Sequence, residues 1–219
     1  MALPEEEPDA RRVRTEAAGF SPAFQAELAR LFRWRRDVRR FRTDPLPEGL
    51  LDALLAEAAT APSVGLSEPW RLLEVPPAAR CAVAESFAAE NAAALAERGP
   101  DRAAYAGLKL AGLAEAPVHI AAYCDDGSAQ GRGLGQRTMP ETRRYSVVCA
   151  VMQLWLAARA HGVGLGWVSI LAPEAVDRAL DVPVHWHLVA YLCLGYPQEE
   201  HTDAELERHA WERRRAQPL

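Results

Sequence analysis

The residues best suited to chemistry lie in Arg35-Arg36-Asp37-Val38-Arg39-Arg40-Phe41, where four arginines surround one aspartate. A planar guanidinium presents a fork of N–H donors matched to phosphate or carboxylate oxygens. Asp37 is the exception, an acid among bases, and a carboxylate there can take up or return a proton. Further along, Ala61-Pro62-Ser63-Val64-Gly65-Leu66-Ser67-Glu68-Pro69-Trp70 forms a small-residue turn. Glycine and serine let backbone N–H groups come close to a flat ring. Together the two segments suggest a phosphorylated aromatic cofactor with an acid set among its contacts. Each alone has a plainer explanation. The first could be a solvated basic turn behind a helix C-terminus, the second a helix stop and a loop.

The elements that must position these segments follow from periodicity and punctuation. Ser21-Pro22 offers an N-cap and a first-turn proline, predicting a helix to about Arg33 with Phe24, Leu28, Leu31 and Phe32 on its apolar side. Pro47 opens a second helix, carrying Leu50, Leu51, Leu54, Leu55 and Ala58 until Pro62 stops it. That helix lies between the two chemical segments and holds its ends ~20 Å apart. A site shared between two copies of the chain would resolve the gap. Trp70–Val75 reads as a strand, 78–97 and 102–113 as helices, and Val118, Ile120, Ala122 and Cys124 as a short buried strand. A Gly-rich loop with Arg132 and Arg137 leads to Pro140-Glu141 and the longest helix, which runs to about His161. That helix is apolar nearly all round from Val147 to Ala158, placing it in the core or in a subunit interface. Strands near 163–170 and 187–195 flank a helix at 173–181. The expected architecture is α+β, mixed α/β layers with a central mixed sheet flanked by helices. Residues 1–19 read as a flexible arm, and 20–219 as one domain with a charged tail ending in Arg213-Arg214-Arg215.

Composition narrows the function classes. A chain of 219 residues buries roughly 70–75% of its unfolded surface and needs no metal or disulfide to hold a core. A net charge of −5 argues against a general nucleic-acid binder. The four cysteines form no C-x-x-C pair, and Cys124, Cys149 and Cys193 stand in apolar surroundings expected of buried free thiols. The acidic start lacks the apolar core of a signal peptide. No apolar run approaches the ~20 residues of a membrane span. A cytoplasmic protein is expected. His185-Trp186-His187 lacks a third ligand at a familiar spacing, so no metal site is expected. Gly162-Val-Gly-Leu-Gly166 follows a helix and enters a strand, the reverse of a dinucleotide fingerprint, and reads as a helix C-cap with close packing. No G-x-S-x-G or Walker A motif is present. Ser169 in Trp167-Val-Ser-Ile-Leu171 is a hydroxyl at a strand end in apolar context, where a bond to backbone would explain it.

These pieces, in this order, resemble the nitroreductase-like flavoproteins, and within them the BluB family of 5,6-dimethylbenzimidazole synthases. The resemblance spans roughly residues 30–197. Besides the two segments above, it rests on Pro69-Trp-Arg71, Leu108-Lys-Leu-Ala-Gly-Leu113, Glu115-Ala-Pro-Val118, Thr138-Met-Pro-Glu-Thr142, Leu154-Trp-Leu-Ala-Ala-Arg-Ala160, Gly166-Trp-Val-Ser-Ile-Leu171 and Ala190-Tyr-Leu-Cys-Leu-Gly-Tyr196. Asp37 gives it specificity, because ordinary nitroreductases usually carry Ser there. The resemblance implies an intertwined homodimer with FMN at the subunit boundary. It implies O2-dependent fragmentation of reduced FMN to 5,6-dimethylbenzimidazole and erythrose 4-phosphate, the benzimidazole being the lower ligand of cobalamin. A separate reductase is implied as the source of reduced FMN. Arg35, Arg36 and Arg39 are implied as holding the phosphate and pyrimidine edge, with Asp37 and Val38 among the flavin contacts. The resemblance further implies that Ser63 and Gly65 approach the ring, the Gly65 N–H favouring oxygen addition. It implies that Asp37 moves protons near the ribityl chain, kept ionised by its arginines. It assigns Ser169 to the later carbon–carbon cleavage and Leu108 to a lid. Ser67-Glu68 departs from the Met-Gln common in relatives. A conventional NAD(P)H-dependent nitroreductase and a non-catalytic flavin-binding protein are the alternatives.

Overall fold

The computed structural model describes residues 19–215. The chain opens with α1 (Pro22–Trp34), where the Ser21 side chain accepts the Phe24 N–H at 3.2 Å and Pro22 stands in the first turn. The expected arm over 1–19 lies outside the described residues, Gly19 apart. Then come α2 (Leu50–Ala58), β1 (Trp70–Glu74), α3 (Pro77–Glu97), α4 (Arg102–Ala106), β2 (Val118–Asp125), α5 (Thr142–Ala160), β3 (Gly164–Val168), α6 (Pro173–Leu180), β4 (Trp186–Gly195) and the short α7 (Glu205–Arg208).

The four strands lie in the order β1-β2-β4-β3, and every neighbouring pair is antiparallel. This corrects the expected mixed sheet. A single crossover through α5 leaves β2 and β3 running the same way, but β4 inserts between them, so each meets only an opposed partner. Among the described residues the one parallel pairing is an isolated bridge, Asp37 to Leu165, on the outer edge of β3.

Side-chain alternation along β2 divides the core. Val118, Ile120, Ala122 and Cys124 face α2 and α5, meeting Leu54, Val147, Val151 and Leu154. Ala121 and Tyr123 face the other way, toward Val83 of α3 and Val176 of α6. All eight β2 residues are buried, because helices cover both faces of the sheet.

Three further expectations need correcting. The helix over 102–113 ends at Ala106, because Gly107 caps it and the chain then settles Gly112 against Phe41. Helix α2 begins at Leu50 rather than Pro47, since Gly49 adopts φ 76°, and it spans only nine residues. Helix α1 forms as expected, with Leu28 and Leu31 of its apolar side half-buried and Phe24 and Phe32 exposed. Cys149 is exposed, unlike Cys124 and Cys193, because it falls on the outer side of α5. There Tyr145, Val148, Cys149 and Met152 recur at i, i+3, i+4 and i+7, opposite the buried stripe of Val147, Val151, Leu154 and Ala158. The apolar circumference of α5 thus serves a core on one side and an uncovered face on the other.

Candidate active site

Segment 35–42 runs as extended chain past the open edge of β3 and on to the end of β4. The Val38 N–H donates to the Leu165 carbonyl at 3.0 Å, and the Arg42 N–H to that of Tyr196 at 2.8 Å. The glycines of β3 make this approach possible. A Cβ on Gly166 would stand 2.0 Å from the Val38 carbonyl oxygen, and one on Gly164 would stand 2.7 Å from the Val38 side chain. Gly162 closes α5 with φ 74°; its N–H bonds the Arg159 carbonyl at 3.0 Å, and the Val163 N–H bonds that of Ala158 at 2.9 Å. Residues 162–166 are therefore a helix cap followed by close packing.

This placement fixes Asp37. One carboxylate oxygen accepts the Trp167 N–H at 2.9 Å, and the other accepts the Arg39 Nε–H at 3.0 Å. Arg39 also donates from Nη1 to the Lys109 carbonyl at 3.2 Å. Among the described residues, Arg39 is the only guanidinium in ion-pair distance of Asp37. Arg35 lies instead over the Trp155 ring at 4.8 Å, Arg36 donates to the Thr202 carbonyl, and Arg40 pairs with Glu205 and Glu199. The expectation that the arginines hold Asp37 ionised is therefore corrected. Withdrawal from water is the largest influence and raises its pKa, although 32% of the side chain remains accessible; Arg39 and the Trp167 N–H only partly oppose it.

A cavity of about 130 Å³ opens beside this carboxylate, lined by Arg35, Arg36, Asp37, Arg39, Glu205 and Arg214 among others. Burial and the nearby Arg214 charge both lower the Arg35 and Arg36 pKa values. The Arg36 Nε is buried and has no hydrogen-bond partner among the described residues. Crowded cations and an orphaned donor fit a bound anion such as a phosphate. Arg214 is the residue that sequence reasoning left unassigned. Its run of three arginines was visible, but the path of the tail that seats it, with the Arg214 N–H on the Glu207 carboxylate at 2.9 Å, was not.

The Ser63–Leu66 turn lies at the other end of α5. The Ser63 hydroxyl accepts the Glu68 N–H at 3.1 Å, and the Val64 N–H donates to Ser146 Oγ at 3.1 Å. Gly65 adopts φ 59°, and a Cβ there would press within 3.0 Å of Leu134 in the Gly-rich loop. Glu68 is exposed, its carboxylate accepting from Gln130 at 3.0 Å. Ser146 and Trp155, whose indole donates to the Arg36 carbonyl at 3.2 Å, are nine residues apart on α5. The two segments are thus held roughly 14 Å apart along that helix. Ser169 follows β3 and is exposed, and Leu108 follows α4, next to the Lys109 carbonyl that Arg39 holds. Val38 packs on Gly164 and has its N–H committed to Leu165. Asp37, Arg35, Arg36 and Arg39 therefore come together, while Ser63 and Gly65 form a separate cluster.

The chain matches known proteins in sequence and in fold. Residues 32–196 match the model of the nitroreductase family. A solved iodotyrosine deiodinase, bound to FMN and 3-iodo-L-tyrosine, shares the fold with a TM-score of 0.66 at 24% identity, over 80% of this chain and 91% of that one. A 5,6-dimethylbenzimidazole synthase of Rhodospirillum rubrum is 56% identical over 202 residues, covering 91% of this chain and 96% of that protein. Another, of Rhodobacter capsulatus, is 44% identical over 195 residues, 88% of this chain and 94% of that protein. The chain belongs to the nitroreductase family and, within it, to the 5,6-dimethylbenzimidazole synthases.

Proposed function

We propose that this chain is a 5,6-dimethylbenzimidazole synthase that takes reduced FMN and O2 as substrates and releases 5,6-dimethylbenzimidazole and D-erythrose 4-phosphate. The benzimidazole then serves as the lower ligand of cobalamin. The observation that carries this reading is the Asp37 carboxylate, fixed by Arg39 and the Trp167 N–H at the wall of an arginine-lined cavity. An FMN-retaining reductase needs the phosphate clamp but has no use for a half-buried acid with a raised pKa, whereas a reaction that moves protons does.

Reduced FMN supplies the electrons and the ring from which the product is made. Arg35, Arg36 and Arg214 would hold its phosphate through charge-assisted bonds. Arg39 keeps its Nη2 donors for the pyrimidine edge, and Val38 lines the same wall. Ser63 and Gly65 bring backbone against the ring, and the Gly65 N–H favours oxygen addition there. Asp37 takes a proton in its ionised form and returns it, above the ordinary carboxylate range because burial raises its pKa. Ser169 supplies a hydroxyl for the later carbon–carbon cleavage, and Leu108 covers the ring.

The working form is a homodimer. The uncovered apolar stripe of Tyr145, Val148, Cys149 and Met152 supports it, as does the separation of the two site segments along α5. Residues 20–219 form one FMN-binding domain with its tail. A separate flavin reductase supplies reduced FMN in the cytoplasm; among the described residues, no helix is long and apolar enough to cross a membrane.

The test supplies chemically reduced FMN anaerobically, admits air and separates the products by chromatography. 5,6-Dimethylbenzimidazole is expected, and its absence with folded protein overturns the reading. Steady NAD(P)H consumption with intact FMN indicates a nitroreductase, and tight binding with neither activity a sequestering protein.

A further inference from the structure

Arg39 stands out because its guanidinium joins two parts of the chain that are 70 residues apart. Its side chain is only 15% exposed, its Nε lies 3.0 Å from Asp37 Oδ2, and its Nη1 lies 3.2 Å from the Lys109 carbonyl. The Lys109 ammonium is itself engaged by Glu115 at 2.6 Å, which leaves the backbone of this stretch to Arg39. Upstream, the Leu108 N–H returns to the Tyr105 carbonyl at 3.0 Å. Downstream, Gly112 is wedged so tightly on Phe41 that a Cβ would stand 2.4 Å from the ring. Between these anchors, Leu108–Ala111 has neither helix nor strand.

We propose that Arg39 is a positioning residue that latches Leu108–Ala111 onto the Asp37 carboxylate, coupling the proton on Asp37 to the seating of that segment. Ionised Asp37 holds the guanidinium by a charge-assisted bond and keeps the carbonyl contact aligned. Protonated Asp37 loses that charge, and the segment is released. This rests on the synthase reading only for its purpose: proton uptake would loosen a cover over the substrate.

The other groups facing Asp37 do not replace Arg39. Arg35, on the same segment, lies over Trp155, and Arg36 and Arg214 line the cavity. Trp167 of β3 contributes an uncharged N–H. Cys193 of β4 is pushed up to about 12 by burial and stays a neutral thiol. Glu205 of α7 is paired with Arg40.

The test is hydrogen exchange of residues 109–111 in the full chain at pH 8, with β2 amides as the internal reference for an intact fold. Arg39→Gln is expected to speed exchange there about tenfold, the loss of one bond to a charged group. Asp37→Asn, which leaves Arg39 in place, should do nearly the same, and the double variant should add nothing further. Arg39→Lys keeps the charge beside Asp37 but cannot span both partners, so it should speed exchange while leaving the acid limb of the pH–rate profile in place. Arg39→Gln should move that limb up by about one unit. Unchanged exchange in Asp37→Asn, or additive effects in the double variant, overturns the latch. Coupled exchange in a protein that makes no 5,6-dimethylbenzimidazole upholds the latch and refutes the synthase instead.

Discussion

Segment 35–41 and the Ser63–Leu66 turn are both joined to α5, yet they are held in different ways. The first is extended chain pressed onto β3 through glycines that leave no room for a methyl group, and its acid is bonded on both oxygens. The second depends on a left-handed Gly65 and on a loop whose Leu134, like Leu66 of the turn, is largely exposed. The edge on β3 is held by bonds within the chain itself. The turn instead exposes Leu66 and Leu134, and with the outer stripe of α5 these would be covered by the second copy proposed above. A reaction that needs one proton carrier in a fixed place and a ring that must enter and leave can use this division: a rigid half for Asp37 and a more permissive half for the ring.

Gly166→Ala strikes the rigid half and should have the larger effect. Its methyl would meet the Val38 carbonyl oxygen 2.0 Å away, a backbone atom that cannot turn aside. A loss of about 1–3 kcal/mol of stability is expected from the overpacking. Product formation should fall roughly hundredfold as Asp37 moves off its bonds. Thermal melting and the product assay, run together, check both. If melting and product were both normal, the edge would be less rigid than described.

Gly65→Ala strikes the permissive half. A left-handed backbone costs a non-glycine residue roughly 1–2 kcal/mol, and the added methyl would also press on the Leu134 and Gly131 carbonyls. FMN affinity should fall about tenfold by fluorescence titration, with the pH dependence of the product assay unchanged. A shift in that pH dependence would mean the two halves are not separable.

Much of the fold was legible because it is written locally. Ser21 and Pro22 start α1, the alanine-rich run marks α3, Gly162 ends α5, and the alternation along β2 names its buried faces. The strand order was not legible, because the insertion of β4 between β2 and β3 is decided by long-range packing. Nor was the short α4, whose continuation is overridden by Gly112 packing on Phe41. In the site, residue types pointed to an anion clamp with an acid in it. Which arginine meets the acid depends on extended-chain geometry and on Trp155, which draws Arg35 away. The seat of Arg214 depends on a tail path that no local spacing encodes.

The central claim is that Asp37 makes the bound flavin the substrate. It is tested most directly by Asp37→Asn, measured for FMN affinity and for 5,6-dimethylbenzimidazole formed from reduced FMN in air. The account predicts affinity within a few-fold of the parent protein and product reduced about 10²–10⁴-fold, the usual worth of a positioned general acid or base. Undiminished product from a variant that still binds FMN would contradict it.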